Sequence, residues 1–86
     1  MGSLRFAGIR FSAYPLDHDP VHVHANYAGV TVIVDLPADG VAVLALRKDA
    51  IDPSNAKKGD VRKVLQCATK HWMELTELWE KAHGRP

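Results

Sequence analysis

The chain has 86 residues, a hydrophobic fraction of 47%, a charged fraction of 24% and a formal net charge of +1. These values describe an ordinary folding sequence of one-domain length; they exclude a disordered, low-complexity or strongly basic polymer-coating protein. A domain this small buries a modest share of its surface, so self-association or a partner is expected to add to its stability.

The first strand is expected over residues 5–14, where Ile9 and Phe11 alternate with Arg10 and Ser12. Pro15 and the run Asp17 to Pro20 interrupt it, and Pro20 favours extended backbone at Asp19. A second strand, 21–27, carries His22 and His24, whose period-two spacing sends both imidazoles to one face while His18 arrives from the preceding loop. Ala28-Gly29 supplies a turn into 30–36, the segment richest in β-branched residues and therefore the expected central strand. The Pro37-Ala38-Asp39-Gly40 turn leads to a fourth strand over 41–47. Connections this short make successive strands antiparallel.

Residues 47–58 are left between a loop and a capped helical turn. From Asp60, a good N-cap, the residues Val61, Val64, Leu65, Ala68, Trp72, Leu75, Trp79 and Ala82 recur at helical spacing, and Gly84 and Pro86 supply a stop. One long helix over 60–83 is expected. Its apolar stripe needs a cover, and the sheet offers one, giving an α+β fold: a four-stranded antiparallel β-meander packed against one C-terminal helix, a two-layer ββββα domain over 1–86. Trp72 and Trp79 then belong to the core, with Met73 and Leu78 off the stripe and available to a partner. Cys67 is alone, which fits packing and a reducing compartment. Met1-Gly2 opens an acylation pattern, but Phe6 stands where Ser or Thr is required. With no leader and no spanning apolar run, a soluble cytoplasmic protein without membrane contact is expected.

Chemistry concentrates at His18, His22 and His24. Three nitrogen ligands suit zinc, with Asp17 or Asp19 as a fourth oxygen or as an orienting group. Without metal, His22 and His24 can serve as acid and base in phosphodiester cleavage, with Arg10 or Lys48 drawing phosphate and Asn26 positioning an oxygen. A third reading is structural: His18 closes a turn, and the pair sits idle on a polar face. His71 and His83 are expected at the surface or its boundary.

The pattern His18-x-Pro20-x-His22-x-His24-Ala25-x-Tyr27, with Arg5 to Ile9 before it and Trp79-Glu80-Lys81-Ala82 near the end, resembles a family of small bacterial proteins known as a domain of unknown function. That family's motif has two consecutive prolines and an aromatic between the last histidines, where this chain has Pro20-Val21 and Val23. The resemblance implies membership of a toxin-antitoxin-like gene pair: action through a second small protein encoded nearby, or a homo-oligomer, with RNA as a target. The competing reading is a small RNA-cleaving or metal-dependent hydrolase using His18, His22 and His24.

Overall fold

The computed structural model describes residues 2–84; Met1 of the acylation pattern and the expected helix stop at Pro86 lie outside them. The fold is α+β, an antiparallel sheet backed by two helices. Its chain order is β1 (Gly2–Phe6), β2 (Ile9–Ala13), β3 (His22–Tyr27), β4 (Val30–Asp35), β5 (Val43–Leu44), β6 (Ile51–Asp52), α1 (Lys58–Lys70) and α2 (Trp72–Ala82).

The expected first strand is in fact a hairpin. Phe6 pairs with Ile9 across a two-residue loop in which Ala7 and Gly8 have φ of 51° and 80°. Positive φ at both positions matches the right-handed twist of the flanking strands. Alanine concealed this turn, because Asn or Asp is the usual residue before glycine there. Ala28-Gly29 repeats the conformation, again 51° and 80°, between β3 and β4. Phe6-Ala7-Gly8-Ile9 and Tyr27-Ala28-Gly29-Val30 are thus two copies of one device: aromatic, alanine, glycine, branched residue.

The strand expected over 41–47 is reduced to Val43–Leu44 and followed by an excursion. Leu44 pairs with Val34, the Ala45 N–H donates to the Ile33 carbonyl, the Ile33 N–H donates to Ala50, and Ile51 then pairs with Val32. β5 and β6 therefore share one edge of β4, and residues 46–49 bulge from it. Arg47 closes the bulge with a two-toothed ion pair to Asp49 at 2.9 and 3.0 Å.

The long helix is broken at His71, whose φ of −110° and ψ of 29° end α1 and begin α2. Its ring lies flat on Phe6, with centroids 3.7 Å apart and planes at 6°. The break lets α1 present Val64 and Ala68 to β3 and β4 while α2 presents Leu75 and Leu78 to β1, β2 and β3. α1 begins two residues before the expected start, so Asp60 lies inside its first turn, where its charge still opposes the helix dipole. Gly84, at φ 70°, takes the left-handed position after α2.

Alternation fixes the two faces of the sheet. Phe11, Val23, Ala25, Val32 and Val34 point to the helices and are fully buried. Ser12, His24 and Ile33, joined in one cross-strand row, point the other way. There Ile33 is covered by Ala45 and Ala50 of the excursion. Trp79 is buried and Trp72 half-buried, its indole N–H donating to the Pro37 carbonyl at 2.9 Å.

Candidate functional site

The loop between β2 and β3 turns back over the start of β3. Its Asp17 N–H donates to the Tyr14 carbonyl at 3.1 Å, and the Leu36 N–H donates to Val21 at 2.9 Å, tying the far end of the loop to the end of β4. The fold thereby sets the Asp17 carboxylate over two neighbouring imidazoles of the same strand. Asp17 Oδ2 is 3.0 Å from His24 Nε2 and 3.2 Å from His22 Nε2. The side chains of Asp17 and His24 are partly open, whereas that of His22 is 5% exposed.

Three neighbours hold this cluster. His22 Nδ1 donates to the Pro20 carbonyl at 2.7 Å. The edge of Tyr14 meets the His24 ring, with centroids 4.8 Å apart, and Trp79 of α2 stands 4.9 Å from His22. His83, expected at the boundary, instead reaches into the support. Its Nε2 is 2.7 Å from the Asp17 carbonyl, its Nδ1 is 2.8 Å from the Trp79 carbonyl, and its ring stacks on Trp79 at 3.9 Å. The end of α2 thus grips the backbone of the residue whose carboxylate makes the site. The sequence signal was the four-residue step from Trp79 to His83, which puts both rings on one side of a helix.

The tautomer of His22 decides the electrostatics. With Nδ1–H given to Pro20, a neutral ring leaves Nε2 as a bare lone pair. That atom is buried without a hydrogen-bond partner and faces a carboxylate oxygen. Two lone pairs cannot share 3.2 Å favourably in so enclosed a place, so the gap calls for a positive charge, either a second ring proton or a cation. Four-coordinate zinc at about 2.0–2.1 Å sets its ligand atoms roughly 3.3–3.4 Å apart. The donor atoms of Asp17, His22 and His24 all lie within 4.8 Å of one another, two of the separations being 3.0 and 3.2 Å.

The three imidazoles expected to converge are therefore two imidazoles and a carboxylate. His18 and Asp19 are exposed and line the adjoining cleft, so Asp17 is the residue that completes the cluster. That cleft, about 540 Å³, runs past Asp17, His22 and Asp35 to Leu46 and Arg47 of the excursion. Arg10 and Asn26 face each other across β2 and β3 on the His24 side of the sheet. The Thr31 hydroxyl donates to Asn26 Oδ1 at 2.9 Å. Lys48 stands with His24 and Asp49 around a second hollow on that side.

No helix among the described residues is long and apolar enough to cross a membrane. Residues 8–80 match a family model described as a domain of unknown function, DUF4160. No curated protein and no solved structure matches the chain.

Proposed function

The chain belongs to the DUF4160 family, and on that footing we propose that it is a metal-binding protein whose Asp17, His22 and His24 hold one divalent late transition ion, with zinc the first choice, for hydrolysis of a phosphodiester. The orphaned, buried Nε2 of His22 opposite the Asp17 carboxylate carries this reading. A carboxylate and two imidazoles, with a backbone carbonyl on the far nitrogen of one ring, are the ligand and orienting groups such ions take. Asp17, His22 and His24 would hold the ion with three protein ligands, the number found at catalytic zinc, and Asp17 and His22 line the cleft from which a substrate would reach it. Bound there, such an ion would supply a Lewis acid for the phosphoryl oxygens.

Elemental analysis of untagged protein tests it. One zinc per chain is expected, with less than about a tenth of that in His22→Ala, His24→Ala and Asp17→Asn. An activated phosphodiester should be cleaved by the loaded protein and spared after chelation. Wild-type protein that takes up no zinc, cobalt, nickel or manganese at micromolar concentration would sink the proposal.

A second reading, that the chain is a toxin-antitoxin-like component acting through a partner protein, draws support from the rim of the cleft. Leu16 and Leu46 are 88% and 100% exposed there, and apolar groups at the mouth of a site suit a protein that caps it. Copurification with the product of the adjacent gene, abolished by Leu16→Asp with Leu46→Asp, is the matching test.

A further inference from the structure

The polar face of the sheet carries a second assembly, two residue pairs along the ladder from His24. The register sets Arg5 opposite Arg10, and Arg10 opposite Asn26. Like charges placed directly across a strand pair repel. Neither guanidinium has a carboxylate partner among the described residues, and both are exposed. Asn26 spends its carbonyl oxygen on the Thr31 hydroxyl, which leaves both of its amide hydrogens to donate. The two Ala-Gly turns bring their backbones to the same spot, so that Gly8 and Gly29 wall a hollow of about 240 Å³ floored by Arg5, Arg10 and Asn26. In a chain of net charge +1 this is a local concentration of donors without an acceptor.

We propose that Arg5, Arg10 and Asn26 bind a phosphate of a single-stranded nucleic acid and lead the strand toward the Asp17, His22 and His24 centre. Two planar guanidinium forks and an amide match the oxygens of a phosphodiester, and a repelling arginine pair is relieved by an anion between its members. Arg10 is two residues along β2 from Ser12, the cross-strand partner of His24. That is about 7 Å at the usual rise per residue, the order of one phosphate-to-phosphate step in an extended strand. A phosphate held by the arginines thus places its neighbour near His24. The cleavage step rests on the metal reading above; the phosphate contact stands apart from it.

Fluorescence anisotropy of a twelve-nucleotide single strand with the full chain, across a salt series and with or without zinc, tests the proposal. Arg5→Gln with Arg10→Gln should weaken binding by at least about tenfold at low salt. It should also lower the log–log salt slope by about 0.7, the amount that one lost single-strand phosphate contact removes. Lys57→Gln with Lys58→Gln, away from the hollow, should change neither. Inorganic phosphate should compete through the same arginines. Metal-free protein and His24→Ala should keep the arginine-dependent binding, so a chain that fails to take zinc but shows this dependence overturns the metal centre alone. Wild-type affinity and slope in the arginine variant, binding that vanishes with the metal, or loss of a copurifying protein in place of the oligonucleotide would each overturn the phosphate track.

Discussion

At the scale of single residues, His83 does the least expected work. It touches no donor atom of the cluster, yet it fixes the Asp17 backbone from the end of α2. His83→Ala should leave the fold largely intact and lower zinc affinity by about 10- to 100-fold, the range for groups that orient metal ligands; competition against a zinc-responsive dye checks it. Cys67 behaves differently. Burial raises its thiol pKa above the ordinary value against the weaker pull of Lys70 and Lys63. Less thiolate is then present at neutral pH, so alkylation of native protein should be slower than that of a free thiol and should accelerate only as the pH climbs past the usual cysteine range. Equal rates for native and denatured protein at pH 7 would contradict this. The His22 and His24 pair was legible in the sequence, because strand periodicity alone puts i and i+2 on one side. His18 and Asp17 were not separable from sequence, since a proline-flanked loop has no period to say which of two adjacent side chains turns inward.

At the scale of elements, the two hairpin turns invite the plainest stability test. Ala7 and Ala28 hold a left-handed conformation that alanine resists and asparagine tolerates. Ala7→Asn and Ala28→Asn should each stabilise by about 0.5–1 kcal/mol, or roughly 2–8 °C in Tm for a domain of this size; scanning calorimetry decides. A fall in Tm would mean that the methyl groups contribute more than the strain costs. The same alanines explain why 5–14 read as one strand. Propensity carried the apolar alternation through Ala7-Gly8, while the neighbouring pair at 28–29 was read as a turn because apolar runs flank it on both sides. The spacing of the helical stripe matches the buried Val64, Ala68, Leu75 and Trp79, but Leu78, expected off it, is also buried, and nothing in the spacing signals that His71 leaves the helical ψ and lies flat on Phe6.

At the scale of the whole molecule, the layers divide the labour. One face of the sheet takes the helices and nearly all of the apolar burial, and the other collects Arg5, Arg10, Ser12, His24, Asn26 and Thr31. Changes on the second face should therefore separate activity from stability. Arg10→Gln should leave the melting temperature within about a degree or two, as exposed substitutions usually do, whereas Trp79→Ala should cost about 3–5 kcal/mol and most of the folded population. Comparable losses from both would show that the polar face helps to hold the sheet.

The outer edge of β4 has a different consequence. Because β5 and β6 are pinned on either side of residues 46–49, that segment can lengthen or change composition without shifting a single ladder pairing, and doubling a loop adds only about 0.6 kcal/mol of closure entropy. Leu46 and Arg47 of that segment wall the cleft beside Asp17 and His22, so rewriting the excursion would reshape the cleft's rim while the carboxylate and imidazoles, carried by other elements, keep their places.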